Sequence, residues 1–595
     1  MTFKHYVLVC GGTGCESNKA DKIYQNLLHE CEKNNLREDV QVVKTGCFGF
    51  CEKGPIVKIL PDNAFYVEVT PEDASEIIAE HIIKGRQVDR LLYESDSNKK
   101  LADLNEMAFY QKQFRVVLRN CGIINPENIE EYIARDGYAA LEKVLFEMSR
   151  EEVIEELKRS GLRGRGGAGF PTWLKWNLTK EPESDVKYVV CNADEGDPGA
   201  YMDRSTLEGD PHTVLEAMTI AGHTVGANQG YIYIRAEYPL AIERLEKAIE
   251  QSRNMGLLGE NILGSGFSFD LELRLGAGAF VCGEETALLS SMEGERGMPR
   301  PRPPFPSVSG LWGKPTVINN VESYANIPVI ITRGGNWFAG IGTERSKGTK
   351  VFALTGKIRN SGLVEVPMGT TLREIIYDIG GGIIGDKAFK AVQTGGPSGG
   401  VITADKLDTP IDYEHLKELG SIMGSGGMIV MDEDDCMVDV SKYYLGFSVD
   451  ESCGKCAPCR TGGRKLHNIL EDISKGKGTM ASLESMKKIG NAMAKASLCG
   501  LGQTTPNPIL STMHYFAEEY RAHIEEKRCP AGKCKDLVTF EIFPENCIGC
   551  GLCARRCPVN AISGEKRQPH VIDQETCIKC GECFTACKFQ AVVRK

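Results

Sequence analysis

The sequence predicts a multidomain protein of mixed α/β and α+β class, and three observations lead to that prediction. At 595 residues the chain is long enough for roughly three to five domains. Its 23 cysteines are concentrated in short clusters instead of being spread evenly. From residue 151 to residue 345, apolar strands alternate with helices, which is typical of an α/β sheet that binds a ligand along one edge.

The composition argues against several classes of function. With 70 lysines and arginines against 81 acidic residues, the net charge is −11, so we expect no basic surface for nucleic acid. The sequence has no apolar run of about eighteen residues, so we expect no membrane span. We see no export signal before the first cysteine, which predicts a cytoplasmic protein with reduced, metal-binding cysteines. A secreted disulfide scaffold is the alternative, and it fits a chain of this length poorly.

Residues 1–90 are predicted to form a small α/β domain with two cysteine pairs at the ends of strands. The first pair follows the strand HYVLVC and the second pair follows VQVVKTG, so the four thiols can converge. The four residues are Cys10, Cys15, Cys47 and Cys51. Four thiolates suit a [2Fe–2S] cluster, with a structural zinc ion as the alternative. The C-x4-C and C-x3-C spacing resembles the thioredoxin-like [2Fe–2S] ferredoxins.

A glycine-rich stretch, LRGRGGAGFP at residues 162–171, is the candidate cofactor loop. Glycine allows backbone amides to approach a ligand closely, and amides near a helix start attract anions. Arginine side chains add positive charge that can bind phosphate. The stretch therefore predicts a phosphorylated cofactor, although a glycine-rich loop alone can also be a mobile turn.

Residues 151–345 carry five motifs in the order found in the NADH-binding flavoprotein subunit of respiratory complex I, which the chain resembles over about residues 145–505. The motifs are GRGGAGFP, CNADEGDPG, CGEETALLSSMEG, RPPFP and INNVES. The resemblance implies an FMN/NADH-binding domain in which FMN is held by Gly164, Arg165, Gly166, Lys175, Asn192, Asp194, Gly283, Glu284, Asn319 and Asn320. It also implies a nicotinamide dinucleotide near Phe170, Glu195, Asp197, Glu285, Arg302 and Phe305, with Glu195 and Glu285 in catalytic roles. Asp197 stands where the family usually has glutamate, which implies an altered contact to the dinucleotide.

The regions on either side of this domain are less distinctive, apart from one cysteine set. Residues 91–150 are predicted to be a helical linker with a solvated stretch at Asp89–Lys100, and residues 346–430 a β-grasp-like module. Residues 431–527 are predicted to be a helical domain that holds a [4Fe–4S] cluster, with zinc as the alternative. The ligands predicted for it are Cys453, Cys456, Cys459 and Cys499.

Residues 528–595 contain an internal repeat, CIGCGLCARRCPVNAI followed by CIKCGECFTACKFQAV. It is the C-x2-C-x2-C-x3-C pattern of bacterial two-cluster ferredoxins, in which the fourth cysteine of each run binds the other cluster. The pattern therefore predicts two [4Fe–4S] ligand sets. They are Cys547, Cys550, Cys553 and Cys587, and Cys577, Cys580, Cys583 and Cys557.

Two cysteines precede this repeat and suggest a further metal site. Cys529 and Cys534, together with His514 on a helix upstream, could supply three ligands of a zinc ion, although no fourth ligand is evident. A spare cysteine pair and a surface histidine is the alternative. Cys436 lies in an apolar context and is predicted to be a core residue.

The order of domains resembles the β subunit of cytosolic, electron-bifurcating [FeFe]-hydrogenases and the diaphorase subunits of NADP-reducing hydrogenases and formate dehydrogenases. That resemblance implies an NADH-dependent oxidoreductase subunit that exchanges hydride between NAD(H) and FMN and passes single electrons to iron–sulfur clusters. The implied partners are a hydrogenase catalytic subunit, a small [2Fe–2S] subunit and soluble ferredoxin. The cofactors would be FMN, one [2Fe–2S] and three [4Fe–4S] clusters, with about fourteen irons in all, and zinc as an addition.

Several alternatives remain open at this stage. The protein could feed one linear electron chain instead of bifurcating electrons, or the chain could be a non-catalytic metal-binding scaffold. NADP could replace NAD, because Arg300, Arg302 and Lys314 could meet a 2′-phosphate, although arginine near a dinucleotide also pairs with its pyrophosphate.

Overall fold

The computed structural model describes residues 3–94, 100–101, 103 and 106–594. The chain forms two compact units. The first unit comprises Met1–Lys387 and Ala391–Val430, and the second comprises Ala388–Lys390 and Met431–Lys595. Among the described helices, none has the length and apolar character that a membrane crossing would need.

The N-terminal part of the first unit is a four-stranded sheet with helices packed against it. The spatial order of its strands is Val40–Thr45, His5–Cys10, Val57–Leu60 and Ala64–Tyr66. The first two strands are parallel, and the other pairings are antiparallel. The helices are Thr13–Ser17, Ala20–Lys33 and Ala74–Glu76, the last of which continues as a π-helix over Ile77–Ile83. The small α/β domain and its two predicted strands, HYVLVC and VQVVKTG, are confirmed.

The segment predicted to be a linker is partly a packed portion of the first unit. Positions 95–99 lie outside the described residues, but Tyr93–Glu94 and Lys100–Leu101 on either side pair as antiparallel strands. The short helices Ala108–Gln111, Ile129–Ile133 and Ala139–Glu147 follow. The buried Glu365 carboxylate accepts hydrogen bonds of 2.9 Å from the backbone amides of Val117 and Leu118. These bonds anchor this segment, so it is not a free linker.

The central part of the first unit is a four-stranded parallel sheet. In spatial order its strands are Thr316–Asn320, Tyr188–Ala193, Gln229–Arg235 and Asp270–Gly276. The α-helices of this part are Arg150–Ser160, Thr172–Lys180, Met202–Gly209, Pro211–Val225, Pro239–Asn254, Glu285–Met292, Pro306–Ser309, Val321–Ala325, Ile327–Arg333 and Gly335–Ala339. A large apolar core joins strands and helices and includes the buried Trp176 and Tyr324. The α/β class predicted for this region is confirmed.

Local sequence signals fix where the glycine-rich loop starts. The helix Arg150–Ser160 begins with a capping box, in which the Ser149 hydroxyl accepts from the Glu152 amide at 3.3 Å and the Glu152 carboxylate accepts from the Ser149 amide at 2.8 Å. It ends at Gly161, whose φ of +65° is the left-handed conformation that glycine adopts without a steric penalty. The loop therefore leaves the helix at a defined point and angle.

The last part of the first unit contains most of a five-stranded mixed sheet, as expected for the β-grasp-like module. Its strands, in spatial order, are Gly362–Pro367, Thr349–Gly356, Gly427–Asp432, Phe389–Thr394 and Gly400–Thr403. A π-helix over Glu374–Ile379 and an α-helix over Tyr413–Glu418 accompany the sheet.

The second unit is a helical domain followed by a small ferredoxin-like module. The helices of the domain are Met437–Asp450, Gly463–Ser474, Met480–Ala496, Gly500–Thr504, Asn507–Tyr515 and Ala517–Arg521. The module pairs the strands Phe540–Ile542 and Val592–Arg594, and the strands Ile562–Ser563 and Val571–Ile572. One short helix, Leu552–Arg556 or Glu582–Ala586, lies in each cysteine repeat. This arrangement confirms the two-repeat prediction.

The buried His212 makes the stability of the central domain depend on pH. It lies in the helix Pro211–Val225 with 1% of its surface exposed, and its Nδ1 lies 3.0 Å from the Tyr138 hydroxyl. Burial lowers the pKa of His212 to about 4, below its ordinary value of 6.5. Because the unfolded chain binds this proton more tightly, stability is complete above about pH 6.5 and falls as the pH drops toward 4.

We expect the loss to reach about 3 kcal/mol, since each pKa unit of difference is worth about 1.4 kcal/mol. The measurement is thermal unfolding of the wild-type protein and His212→Gln at pH 7.5 and at pH 5. The variant should lose less stability on acidification than the wild type does. The exposed His29 provides the matched control, because His29→Gln should leave the pH dependence unchanged. An equal loss in the wild type and His212→Gln would contradict the prediction.

Candidate functional site

A crevice at the carboxyl ends of the parallel sheet is the candidate cofactor site. The first strand, Tyr188–Ala193, lies between the last strand, Thr316–Asn320, and the second, Gln229–Arg235. The chain therefore leaves the first strand in one direction and returns on its other side. In open α/β sheets, ligands bind at this switch point, outside the carboxyl ends of the strands.

Three of the predicted asparagines meet at this switch point. Asn320 lies opposite Asn192 in the sheet, and Asn319 lies opposite Cys191. The Asn192 amide donates to the Gly283 carbonyl at 2.8 Å. Asn320 caps the next helix by accepting from the Ser323 amide at 3.1 Å. These side chains are held by protein contacts, so the edge of the crevice is rigid before a ligand arrives.

The glycine-rich loop closes the same crevice from the side of Asn320. The loop is folded back on itself by a 2.8 Å bond from the Gly164 amide to the Phe170 carbonyl. A Cβ added at Gly166 would lie 3.3 Å from the Asn320 Cβ, which is tighter than most such contacts. Only glycine allows the loop backbone to lie this close without displacement of Asn320.

The loop leads directly into the nine-residue helix Thr172–Lys180. The Thr172 hydroxyl is buried and has no hydrogen-bond partner among the described residues. Lys175, on the first turn, donates to the Ile318 carbonyl at 3.0 Å. A helix start with an unsatisfied hydroxyl and a lysine suits an anionic group such as the phosphate of FMN.

Two consecutive glutamates in the CGEET motif have different roles. Glu284 caps the helix Glu285–Met292, since its carboxylate accepts from the Thr286 and Ala287 amides at 3.0 and 2.9 Å. Glu285 points instead toward cations, at 2.5 Å from Arg302 and 3.4 Å from Lys175. Glu284 is thus occupied by the backbone, while Glu285 joins the predicted flavin residue Lys175 to the predicted dinucleotide residue Arg302.

The acidic turn after the first strand is buried at Asp194 and Glu195 and half-buried at Asp197. The Glu195 carboxylate accepts bonds of 3.0 Å from the Asp203 and Arg204 amides, at the start of the helix Met202–Gly209. Burial raises the pKa of Glu195. Asp197 accepts a hydrogen bond from Ser425, and burial raises its pKa to about 6. The preceding Asp194 lies 3.7 Å from Arg235.

The role expected for the Arg165 side chain is wrong. Its guanidinium is completely buried and donates to the carbonyls of Arg163, Lys347 and Thr349. Three carbonyl acceptors satisfy the charged group inside the protein, so it does not reach a phosphate. The contribution of this position to the crevice is its backbone, whose amide donates to Ser323 at 2.8 Å.

The exposed aromatic residues at the crevice are suited to contact with a planar ligand. Phe170 and Phe305 are 42% and 53% exposed, and Arg302 lies 5.9 Å from the centre of the Phe305 ring. An aromatic ring offers a flat apolar face that can stack on a planar ring of a ligand. Arg300 and Lys314 are paired with Glu293 and Asp185, so their charges are already balanced.

The four N-terminal cysteines come together at one end of the first sheet. The Cys47 and Cys51 sulfurs are 3.8 Å apart, and the Gly49 amide donates to the Cys47 sulfur at 3.3 Å. Contact with the Cys15 thiol, together with burial, raises the pKa of Cys10, and contact with Cys47 opposes this rise. The site crowds thiols that disfavour one another's ionisation, and it therefore suits a cationic centre that binds them as thiolates.

The cysteines of the helical domain also converge. Cys459 is close enough to Cys453 and Cys456 for their charges to interact, and it contacts the Ser452 hydroxyl at 3.2 Å. A Cβ added at Gly502, in the helix that follows Cys499, would lie 2.9 Å from the Cys459 Cβ. This packing brings Cys499, which is distant in sequence, close to the other three cysteines.

The ferredoxin-like module has two cavities, and each is lined by one predicted ligand set. Cys547, Cys550, Cys553 and Cys587 line the first cavity. Cys557, Cys577, Cys580 and Cys583 line the second. Ile548 and Ile578 occupy equivalent positions in the two walls. Each cavity therefore takes three cysteines from one repeat and the fourth from the other.

A separate buried group in the second unit could hold a metal ion. Its members are Cys436, His523, Cys529 and Cys534, whose ligand atoms all lie within 4.8 Å of one another. The His523 Nε2 lies 3.4 Å from both the Cys436 and the Cys534 sulfurs, which are 3.8 Å apart. A tetrahedral zinc ion separates its sulfurs by about 3.8 Å, and sulfur from nitrogen by about 3.6 Å.

Neighbouring groups orient these ligands. His523 Nδ1 lies 2.7 Å from the Glu519 carbonyl, which can only accept, so Nδ1 carries the proton and Nε2 is available to a metal. The Lys533 and Cys534 amides donate to the Cys529 sulfur at 3.3 and 3.5 Å. The arrangement fits a Cys3His zinc site.

The structure changes the predicted composition of this site. His514 does not belong to it: the residue is exposed near the end of the helix Asn507–Tyr515, and its ring packs edge-on against Tyr515. Cys436 is buried in the apolar core, as predicted, and its sulfur is also one of the four ligand atoms of the group. The short spacing of His523, Cys529 and Cys534 was a local signal for His523. Cys436 gave no such signal, because it is distant in sequence.

Family comparisons agree with this arrangement of sites. Residues 2–81 match the thioredoxin-like [2Fe–2S] ferredoxins, and residues 157–329 match the Nuo51 FMN-binding domain. Residues 351–402 match the SLBB domain. Residues 439–523 match the iron–sulfur binding region of NADH-ubiquinone oxidoreductase F, and residues 546–591 match the 4Fe-4S dicluster domain.

Similar whole proteins and structures are also known. The NADP-reducing hydrogenase subunit HndC of Solidesulfovibrio fructosivorans is 62% identical over 485 residues, which is 82% of this chain and 99% of that protein. The F 2 subunit of the NADH-quinone oxidoreductase of Rhizobium meliloti (strain 1021) is 44% identical over 415 residues, or 70% of this chain and 99% of that protein. A crystal structure of an NAD+-reducing [NiFe]-hydrogenase in the H2-reduced state matches with a TM-score of 0.63 and 28% identity, and covers 88% of this chain and 85% of its own.

Proposed function

Since the chain belongs to the family of NADH-quinone oxidoreductase F subunits and related hydrogenase diaphorase subunits, we propose that it exchanges hydride between NAD(H) and FMN at the sheet-edge crevice and distributes single electrons. The family makes it an NAD(P)H-dependent flavin and iron–sulfur oxidoreductase subunit. The observation that carries the finer proposal is the convergence of Asn192, Asn320 and Lys175 with the glycine-rich loop at the switch point of the parallel sheet.

FMN, when bound, can accept a hydride and give up its electrons one at a time. The protein's part is to hold FMN and the dinucleotide and to orient them relative to each other. The loop backbone and the helix start at Thr172 would bind the phosphate, and the asparagines would face the ring system. Phe170 and Phe305 would contact the dinucleotide from the solvent side, with Arg302 beside its phosphates and Glu285 fixing Arg302.

We propose a [2Fe–2S] cluster on the four N-terminal cysteines and three [4Fe–4S] clusters on the remaining predicted sets. The proposal is supported by the crowded thiols near Cys47 and by the two cavities of the ferredoxin-like module. The exposed Ile548, Ile578 and Phe589 around those cavities suit docking of a soluble ferredoxin. The Cys436 site is proposed to hold structural zinc, which adds no electron step.

The test is FMN and iron content measured on one anaerobic sample of the full chain. We expect about one FMN and about fourteen irons, from one [2Fe–2S] and three [4Fe–4S] clusters. Asn192→Leu should lower FMN occupancy at least about tenfold, since it removes a polar contact in a buried crevice, and should leave the iron content unchanged. Asn254→Leu, at an exposed position in the same domain, is the matched control. Absent flavin, with zinc in place of iron, would leave a metal-binding scaffold.

We further propose that electrons bifurcate, with one branch toward a hydrogenase catalytic subunit and a small [2Fe–2S] subunit and the other toward ferredoxin. One flavin crevice combined with several ligand sets supports this. The linear alternative, a diaphorase that supplies one chain of acceptors, predicts a different result in a titration with excess NADH, at two electrons per NADH. If excess NADH reduced all four clusters without dependence on a second acceptor, the linear alternative would hold and bifurcation would be excluded.

A further inference from the structure

An unusual buried arginine lies beside the N-terminal cysteines. Arg244, in the helix Pro239–Asn254, has no exposed surface. Its Nη1 donates to the Glu208 carbonyl, whereas its Nε and Nη2 have no hydrogen-bond partner among the described residues. The nearest carboxylate recorded for it, Glu127, is 3.6 Å from Nε and is shared with Lys247. A buried guanidinium with incomplete hydrogen bonding carries a desolvation cost, unless a negative charge nearby compensates it.

The free side of this guanidinium faces the loop that carries Cys10 and Cys15. A Cβ added at Gly11, next to Cys10, would lie 3.1 Å from Arg244 Nη2 and 2.8 Å from the Thr45 carbonyl. The loop backbone therefore comes within contact distance of the guanidinium only because residue 11 is glycine. Arg244 belongs to the flavin-binding part of the unit, so its charge is brought to the cysteine loop by the fold.

A buried carboxylate of opposite charge contacts the same loop. Glu208 is 1% exposed, and its Oε2 accepts from the Thr13 amide at 3.0 Å. Its other oxygen accepts from the Thr13 hydroxyl. The nearest cation to this carboxylate is Arg204, whose Nε is 3.7 Å from Oε1. The cysteine loop thus lies beside one buried positive and one buried negative group, both sheltered from water.

We propose that Arg244 raises the midpoint potential of the [2Fe–2S] cluster held by Cys10, Cys15, Cys47 and Cys51, and that Glu208 opposes it. This inference rests on the proposed function. One-electron reduction adds a negative charge to a cluster whose four thiolate ligands already make it anionic. A buried guanidinium stabilises the reduced form more than the oxidised form, because charges interact strongly where water is excluded. A buried carboxylate has the reverse effect.

The two charges make opposite predictions, which separates an electrostatic role from a structural one. Arg244→Gln should shift the ratio of reduced to oxidised cluster about tenfold toward the oxidised form at a fixed potential, which lowers the midpoint by about 59 mV for a one-electron couple. Glu208→Gln should shift the ratio in the other direction, because it removes the buried negative charge. The glutamine retains an oxygen for the Thr13 amide, so the loop geometry should be kept. Arg244→Lys keeps the charge and should stay close to the wild type.

The measurement is a redox titration of the full chain, in which the electron paramagnetic resonance signal of the [2Fe–2S] cluster is recorded at each potential. The [4Fe–4S] signals serve as internal references. Arg253→Gln is the matched control, because Arg253 lies on the same helix but is exposed and pairs with Asp270. It should leave the [2Fe–2S] potential unchanged.

Three outcomes would overturn the inference. They are an unchanged potential in folded Arg244→Gln, equal shifts in Arg244→Gln and Arg244→Lys, and a lowered or unchanged potential in Glu208→Gln. If Arg244→Gln does not fold, Glu208→Gln alone decides. The failure of the proposed function is distinguishable, because it would appear as the absence of a [2Fe–2S] signal in the wild-type protein.

Discussion

Replacing His523 by alanine is expected to release the metal from the buried site in the second unit, while replacing His514 leaves it bound. His523 supplies the nitrogen closest to two of the three sulfurs, at 3.4 Å from each. Loss of an outer-shell partner alone typically weakens metal binding 10–100-fold, so loss of a direct ligand should weaken it by more than about 100-fold. Without the ion, three thiols remain crowded in a buried pocket, where contact with Cys529 and Cys534, together with burial, raises the pKa of Cys436.

The measurement is zinc content per chain after dialysis against a chelator, together with the thermal unfolding of the helical domain. Structural zinc contributes about 10–16 kcal/mol of apparent binding energy in small zinc domains, so part of that energy should be lost here as a lower unfolding temperature. FMN content should not change in either variant. Retention of zinc by His523→Ala, or its loss from His514→Ala, would show that the ligand assignment is wrong.

Replacing Lys350 by methionine is expected to destabilise the first unit by about 3–5 kcal/mol, the usual result of removing one partner from a buried ion pair. Lys350 and Glu322 have 0% and 1% of their side chains exposed and are directly paired. Lys350 also donates to the Ser425 carbonyl at 2.6 Å. Burial and the Glu195 and Glu322 carboxylates raise the pKa of the neighbouring Asp203. Removal of the lysine would leave the buried Glu322 carboxylate without its ion-pair partner.

The measurement is the free energy of unfolding in denaturant, with the release of flavin as the signal that reports unfolding. The exposed Lys357 offers the control, since Lys357→Met should change stability by less than about 0.5 kcal/mol. The double variant Lys350→Met with Glu322→Gln should recover part of the loss, because it removes the unpaired charge but keeps an acceptor for the Val351 amide. If the single and double variants are equally unstable, the loss comes from packing and not from charge.

Short-range patterns were the part of the site that the sequence could predict. The two ferredoxin-like ligand sets follow from a repeat whose spacing is local, and each set lines one cavity. The glycine-rich loop and Asn320 were likewise recognisable from their motifs. The two strands of the N-terminal domain that precede the cysteine pairs were predictable because each is a short apolar stretch of its own.

Long-range geometry decided the points that sequence reasoning missed. Arg165 stands between glycines in a phosphate-type motif, yet its guanidinium turns into the core because three carbonyls converge there. His514 and His523 both lie on helices upstream of Cys529. The shorter spacing favours His523, and the fold shows that it is the one beside the sulfurs. Glu195 and Glu284 look like free ligand acids in the sequence, but both carboxylates accept hydrogen bonds from helix-start amides.

The crossed cysteines of the ferredoxin-like module also constrain how the protein is made. The first cavity needs Cys587 from the second repeat, and the second cavity needs Cys557 from the first. During synthesis on a ribosome, the first three cysteines emerge well before the residue that completes their set. Neither half of the module can therefore complete a ligand set alone. The second set is complete only after Cys583 is synthesised and the first only after Cys587, so the two proposed clusters would be assembled at the end of synthesis or after it.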